Sequence, residues 1–169
     1  MSFAQAITWQ SPGNLIGMLP VVLTSTAIAA WRSRPVVAAS LFLAYLLQFA
    51  FAWIGWGLWD RSRPDIVADG LAAPGLHSFP SGHVLVVITI YGLLTYLWFR
   101  ATRSLTERLF AILLFVVWAG LVCVSRLVLG AHWVSDILAG LLIAGLWLCS
   151  LIYALNRAET AIARFANRQ

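Results

Sequence analysis

His132 and Asp136 are the two residues whose types and spacing most directly suggest chemistry. They are four positions apart, so on a helix both side chains would lie on one face, close to the helix start. If Asp136 accepts a hydrogen bond from Nδ1–H of His132, the ring tautomer is fixed and Nε2 keeps a lone pair for nucleophilic attack. The same spacing is also typical of an interfacial pair that only satisfies its own hydrogen bonds.

A second group of reactive residues follows Pro80 at the start of a long apolar stretch. Ser81 is a typical N-cap residue and Gly82 permits a close backbone approach, so free N–H groups and the helix dipole would favour an anion there. His83 is placed just inside this helix start, where it could protonate a leaving oxygen and then activate water. Without the other motifs, this segment would also suit a plain helix cap.

Two arginines could bring positive charge to the same anion. Arg126 lies close to the end of a long apolar run, where a charged side chain is costly and by default indicates a function. Arg63, which precedes Pro64, could equally be an ordinary interfacial arginine. Guanidinium groups bind phosphate oxygens through paired hydrogen bonds and stabilise charge in phosphoryl transfer, so two of them could replace a metal ion.

A metal site is the alternative interpretation of the polar segment between residues 60 and 80. His77, Asp65 and Asp69 are residue types that ligate metals, yet one histidine with two carboxylates in a loop is a common solvated arrangement. We therefore predict neither a metal ion nor another cofactor.

The elements that must hold these residues in place are apolar helices. Of the 169 residues, 62% are hydrophobic and 10% are charged, whereas soluble domains carry about 25% charged residues. Apolar stretches of about 18 residues or more, long enough to cross a bilayer, recur along the chain. We predict an all-α polytopic transmembrane helical bundle of about five spans, a single domain over residues 1–169 with an interfacial lead-in before the first span. The predicted spans are Asn14–Trp31, Val36–Trp59, Gly82–Phe99, Leu109–Leu129 and Trp133–Leu155.

The arginines indicate which way the helices cross the membrane. The net charge of +5 comes from arginine alone, because the chain has no lysine, and in a membrane protein such charge indicates orientation rather than nucleic-acid binding. Arg61, Arg63 and Arg126 fall on one side of the predicted bundle. The others fall on the opposite side: Arg32, Arg34, Arg100, Arg103, Arg108, Arg157, Arg164 and Arg168. Because cytoplasmic loops are enriched in basic residues, we predict a bacterial cytoplasmic (inner) membrane protein whose reactive residues face the periplasm or exterior.

Together the three motifs resemble the signature of the type 2 phosphatidic acid phosphatase superfamily. The matching residues, all within 56–136, are Arg63-Pro64, Pro80-Ser81-Gly82-His83, and Ser125-Arg126 followed by His132 and Asp136. The resemblance implies a six-helix or similar membrane core and metal-independent dephosphorylation through a phosphohistidine. It also implies roles for single residues: His132 as nucleophile, Asp136 as its partner, His83 as general acid, and Arg63, Ser81, Gly82 and Arg126 as phosphate ligands.

One position departs from the signature of this family. The first motif normally opens with a lysine seven residues before the arginine, and here that position is Trp56. Arg61 could supply the missing charge, although Asp60 beside it would neutralise part of it. The departure could weaken the binding of a highly charged substrate, but it does not affect the nucleophile.

The resemblance implies that the partner molecule is a membrane lipid phosphate, which reaches the site from the lipid bilayer. The expected substrate is a lipid-linked phosphate or diphosphate, such as undecaprenyl diphosphate, phosphatidylglycerol phosphate, phosphatidic acid or a lipid A phosphate, and among these we place the polyprenyl diphosphate first. Two alternatives stay open: a lipid phosphotransferase of the same family, and a catalytically silent lipid-binding membrane protein. The oligomeric state stays open as well.

Overall fold

The computed structural model describes residues 1–65 and 77–167, apart from the side chains of residues 15 and 16. Within that part of the chain, five helical stretches are long and apolar enough to cross a membrane. The prediction of an all-α transmembrane bundle is therefore confirmed. Numbered in chain order, the helices are α1 (Phe3–Gln10), α2 (Leu15–Trp31), α3 (Pro35–Leu58), α4 (Gly82–Ala101), α5 (Leu105–Val128) and α6 (Val134–Ala166).

The first span starts earlier than the sequence predicted. α1 and α2 are joined by a 3-10 turn at Ser11–Gly13, so the apolar helical stretch covers Phe3–Trp31 instead of beginning at Asn14. α1 lies along α5, and the ring of Trp9 contacts the ring of Trp118 edge-on with centroids 5.8 Å apart. The lead-in predicted to be interfacial is thus helical and packs against the bundle.

The core of the bundle lies between α2, α3, α4 and α6. Met18, Leu41, Ile90 and Leu155, one from each of these helices, are almost completely buried in a single hydrophobic cluster. Large apolar side chains also cover the outside of α5 and α6, where in water they would be unfavourable. A bilayer surrounds such side chains with hydrocarbon, so the outward face fits a membrane protein.

The helices alternate in direction, so the connecting segments gather at two opposite ends. One end holds the tight α2–α3 and α4–α5 connections together with the C-terminal end of α6. Arg100 of α4 donates hydrogen bonds to Asn156 and Glu159 of α6 there, at 3.1 and 2.7 Å. The other end holds the α3–α4 segment and the α5–α6 corner, and all three motifs lie at that end.

Candidate active site

The α3–α4 segment is fastened across the motif end by backbone hydrogen bonds. Its two described parts are joined where the N–H of Ser78 donates to the carbonyl oxygen of Arg61 at 2.9 Å. The Ser62 carbonyl oxygen accepts from the Ser78 hydroxyl at 3.2 Å and from Nε1 of Trp133 at 2.9 Å. These bonds hold the segment over the start of α6. The rest of the segment predicted to form a cap, residues 66–76, lies outside the described residues.

The start of α4 is docked onto the start of α6. Ser81 occupies the N-cap position of α4, as predicted, and its N–H donates to the carbonyl oxygen of Asp136 at 3.3 Å. Its hydroxyl makes no capping hydrogen bond, however, and this buried oxygen has no partner among the described residues. Because a buried hydroxyl without a partner is costly, the Ser81 oxygen is available for a bound anion.

The corner between α5 and α6 brings Arg126 close to His132. α5 ends in a Schellman motif: the N–H of Gly130 donates to Leu127 at 3.0 Å and the N–H of Ala131 donates to Arg126 at 3.1 Å. Gly130 has φ 62°, a left-handed conformation that glycine adopts at little cost. The chain therefore reverses within a few residues, which leaves the Arg126 side chain only 4% exposed beneath the corner.

The position of His132 defines which ring nitrogen can react. Nδ1 lies 2.7 Å from the carbonyl oxygen of Ser78. A carbonyl oxygen can only accept, so Nδ1 must carry the hydrogen, and in the neutral ring Nε2 then holds the lone pair. This is the tautomer expected from the sequence, but the group that fixes it is the Ser78 carbonyl and not the Asp136 carboxylate. The predicted hydrogen bond from Nδ1 of His132 to Asp136 is wrong, since Oδ2 of Asp136 lies 3.8 Å from Nδ1.

Asp136 is held by other groups. Its Oδ2 accepts from the N–H of Trp133 at 2.9 Å, which caps the start of α6, and its Oδ1 accepts from Nη1 of Arg61 at 2.8 Å. The four-residue spacing did not produce the expected pair because α6 begins only at Val134. His132 therefore lies outside the helix, where the rule for helical neighbours does not apply. Asp136 still places a negative charge near the ring.

The sequence suggested that Arg61 could supply the charge missing at Trp56, but its contacts are with residues at the start of α6. Besides Asp136, its Nη1 donates to Oγ of Ser135 at 2.6 Å, and its guanidinium lies 5.2 Å from the ring centroid of Trp133. The charge of Arg61 is thus engaged by a fully buried carboxylate. Sequence reasoning missed both the Ser78 and the Ser135 contacts, and neither residue belongs to a motif that would have identified it.

Arg63 and Arg126 provide the positive charge around His132. Burial lowers the pKa of His132 below its ordinary value, and the charges of Arg126 and Arg63 lower it further, while Asp136 and the Ser78 hydrogen bond oppose them. Burial likewise lowers the pKa of Arg63, against the attraction of Asp136. At neutral pH the His132 ring is therefore mainly in its neutral, nucleophilic form.

His83 and Gly82 complete the arrangement at the start of α4. The charges of Arg63 and Arg126 act on the half-buried ring of His83 as they do on His132, which places these four side chains in one electrostatic environment. Gly82 is buried next to the ring of Trp56. All seven predicted site residues are thus found at this end of the bundle: Arg63, Ser81, Gly82, His83, Arg126, His132 and Asp136.

The metal alternative receives no support from His77. Its Nδ1 lies 2.6 Å from Oδ1 of Asp60, and the two residues form an exposed pair in the α3–α4 segment. Across residues 1–65 and 77–167, no group of three or more histidine, cysteine, aspartate or glutamate side chains could hold a metal ion. Asp69, the other carboxylate considered with Asp65, lies outside the described residues.

Fold and site together define an integral membrane protein with a cluster of histidine, arginine and serine side chains at one end of its helices. The chain belongs to the PAP2 superfamily, whose family model matches residues 36–159. It is therefore classed as a phosphoric ester hydrolase, as the sequence motifs predicted.

A solved structure has the same fold. The chain is similar to the crystal structure of a transmembrane PAP2-type phosphatidylglycerolphosphate phosphatase from Bacillus subtilis, with a TM-score of 0.71 and 24% sequence identity. The match covers 96% of this chain and 79% of that one. No curated protein sequence matches the chain at a significant level.

Proposed function

We propose that the protein is a metal-independent lipid phosphatase that works through a phosphohistidine intermediate on His132. The observation that carries this proposal is the 2.7 Å contact between Nδ1 of His132 and the Ser78 carbonyl oxygen. It leaves Nε2 as the nucleophilic atom of a buried, neutral ring. Two guanidinium groups, those of Arg63 and Arg126, act electrostatically on the same ring.

In the first step, Nε2 of His132 attacks phosphorus and forms an N–P bond. The bond from phosphorus to the ester oxygen breaks and its electron pair goes to that oxygen. His83, which the bound phosphate dianion holds in its protonated form against the arginine charges, donates the proton that neutralises the alcohol product. The phosphorylated ring is more positive than the free ring. The Asp136 carboxylate, 3.8 Å from Nδ1, stabilises that charge without taking the proton.

In the second step, water replaces the histidine. His83, now neutral, accepts a proton from the water as its oxygen bonds to phosphorus, and the N–P bond breaks with its electron pair returning to Nε2. During both steps negative charge lies on the equatorial phosphoryl oxygens. We assign Arg63, Arg126 and the Ser81 hydroxyl, together with the backbone at Gly82, as donors to those oxygens.

The substrate we propose is a lipid-linked phosphate or diphosphate whose headgroup lies at the outer membrane–water interface. Undecaprenyl diphosphate and phosphatidylglycerol phosphate are such lipids. Support comes from the placement of the site, at the end of the bundle opposite the many arginines, and from the apolar outer face of α5 and α6, along which a lipid can approach. We place the protein in the bacterial cytoplasmic membrane with this site facing the periplasm or exterior.

The test is phosphate release by the purified protein in detergent, from a panel of lipid phosphates, with a chelator present. We expect release by the wild type and a loss of about a thousandfold or more in His132→Ala. His77→Ala serves as the matched control, because it removes a histidine of the same segment that we place outside the chemistry. Release that needs a divalent cation, or that survives in His132→Ala, would contradict the mechanism.

A phosphotransferase of the same family would use the same first step and transfer the phosphoryl group to a second lipid. Product analysis separates the two reactions. Inorganic phosphate released in equal amount to the dephosphorylated lipid supports the hydrolase, whereas a newly phosphorylated acceptor lipid supports the transferase.

A further inference from the structure

Several buried polar atoms at the site have no hydrogen-bond partner within the described residues. Two of them, Oγ of Ser81 and Nε of Arg126, belong to residues that we propose as phosphate ligands. A third is the indole Nε1 of Trp56. Buried donors are normally paired, so an unpaired donor beside the proposed phosphate ligands is a candidate partner for a phosphoryl oxygen.

Trp56 lies directly beside the phosphate-binding backbone. A Cβ atom added to Gly82 would lie 3.8 Å from Cζ2 of Trp56. Cζ2 is two bonds from Nε1 in the indole ring, so the N–H belongs to the edge of the ring near Gly82. The ring is fixed in this place by packing against Ala52, Leu85 and Ala144. The donor is therefore held in position before any ligand binds.

The indole adds a hydrogen bond to the site but no positive charge. This limits how much negative charge on a bound anion the site can balance. Arg61 is engaged by Asp136, so Arg63 and Arg126 are the arginines whose charges act on His132. A phosphate monoester carries about −1.5 to −2 charges at pH 7, which two guanidinium groups can balance. A diphosphate carries a further negatively charged phosphoryl group, and the indole of Trp56 offers no charge to balance it.

We infer that the indole N–H of Trp56 donates a hydrogen bond to a phosphoryl oxygen of the substrate and that this neutral ligand makes the enzyme selective for lipid phosphate monoesters over diphosphates. This inference rests on the proposed phosphatase function and narrows its substrate class. Of the two lipids named above, it favours phosphatidylglycerol phosphate, whose terminal group is a phosphate monoester.

The first test compares farnesyl monophosphate with farnesyl diphosphate, which share one lipid tail. We expect the wild type to have the higher kcat/KM on the monophosphate. Trp56→Phe keeps an aromatic ring and removes the N–H, so kcat/KM on the monophosphate should fall about tenfold, as for the loss of one hydrogen bond to a charged group. Trp56→Lys should raise the diphosphate-to-monophosphate ratio of kcat/KM by about tenfold.

Trp147→Phe is the matched control. Its indole Nε1 is also buried without a partner in the described part of the chain, but Trp147 lies eleven residues beyond Asp136 on α6, about 16 Å along the helix axis. We expect no change in either rate for this variant. A wild type that prefers the diphosphate, or a Trp56→Phe variant that behaves like the control, would overturn the inference.

A second measurement does not depend on turnover. In the His132→Ala protein labelled with [15N]tryptophan, the indole N–H resonance of Trp56, assigned by its disappearance in Trp56→Phe, should shift on titration with inorganic phosphate. A shift in His132→Ala, combined with a wild type that releases no phosphate from any lipid, would support the Trp56 site while contradicting the proposed function. An indole resonance that stays unchanged at saturating phosphate would overturn the role of Trp56.

Discussion

At the scale of single residues, the reactive form of His132 depends on a backbone atom. The carbonyl oxygen of Ser78 fixes the ring tautomer, a task that any residue at that position could perform. The sequence therefore predicted which side chains meet, since His132, Asp136 and Arg126 belong to a motif of defined spacing. It could not predict the Nδ1 partner, because a carbonyl group is common to all residues and leaves no signal in residue type.

The environment of His132 leads to a prediction about pH. Burial and the charges of Arg126 and Arg63 lower its pKa below 6.5, so the neutral nucleophile persists to lower pH than in an ordinary histidine. As pH falls through that lowered pKa, Nε2 becomes protonated and activity is lost. We expect the limb of the kcat/KM profile that reports the nucleophile to have its midpoint below pH 6.5.

The control for this profile is Arg126→Gln. Removing one of the charges that lower the pKa of His132 should move the nucleophile limb to higher pH, in addition to reducing the maximal rate. A limb that stays in place in this variant would show that another group is titrating.

Arg61 is predicted to act as a positioning residue for Asp136. Its side chain is 32% exposed and its guanidinium bonds to the completely buried carboxylate of Asp136, so Arg61→Ala leaves a buried charge without this partner. The Asp136 charge would then attract Arg63, with which it already interacts, and draw it away from phosphate. We expect kcat to fall about tenfold or more, and unfolding to become easier by about 1–3 kcal/mol after allowance for solvent screening.

Arg61→Lys separates positioning from a purely structural effect. It restores the charge opposite Asp136 without the paired geometry, so it should recover most of the lost stability but only part of kcat. Arg103→Ala, which removes an exposed arginine at the other end of the bundle, should change neither quantity. Full activity in Arg61→Ala would remove Arg61 from the site.

At the scale of helices, the α5–α6 corner links the two halves of the third motif. The Schellman motif with Gly130 at φ 62° sets the direction in which the chain continues from Arg126 to His132. In Gly130→Ala the added Cβ disfavours this conformation by about 1–2 kcal/mol. We expect a lower melting temperature in detergent and a larger loss of activity than of stability, because the corner aligns reacting groups.

Gly120→Ala is the matched control on the same helix. A Cβ at Gly120 meets no atom within 4 Å, and alanine is favoured over glycine in a helix. Stability and activity should therefore be unchanged or slightly higher. Equal effects of the two substitutions would contradict the role given to the corner.

Hydropathy predicted the helices better than their ends. The last span was predicted to end at Leu155, but α6 continues to Ala166. Hydropathy detects the part of a helix that crosses hydrocarbon, whereas residues such as Arg157 and Glu159 continue the helix beyond it. The early start of the first span has a related reason. The 3-10 turn at Ser11–Gly13 interrupts the helix, and a hydropathy window does not detect a short helix that precedes such a turn and packs against the bundle.

At the scale of the whole molecule, the two ends of the bundle have different chemistry. The motif end holds the buried groups that we propose as ligands of an anion, whereas the opposite end holds most of the arginines on short connections and on the extension of α6. At 1.5 Å per residue this 33-residue helix is about 50 Å long, against about 30 Å of hydrocarbon. The excess length projects from the arginine-rich end, so α6 marks one side of the membrane.

The asymmetry of the two ends predicts the orientation in the cell. Arginines flanking membrane spans are retained on the cytoplasmic side, so the arginine-rich end and the projecting part of α6 should be cytoplasmic. A reporter that is active only in the cytoplasm should therefore be active when fused after Gln169 in a bacterial host, and a reporter active only outside should be silent there. Inserting the same pair after Asp65, in the segment at the motif end, should give the reverse result. An odd number of spans separates the Asp65 segment from the C-terminus, so the two positions should lie on opposite sides of the membrane. The same reporter active at both positions would contradict the five-span arrangement. The opposite pattern, with the cytoplasmic reporter active after Asp65 and silent after Gln169, would preserve the five spans and place the active site in the cytoplasm.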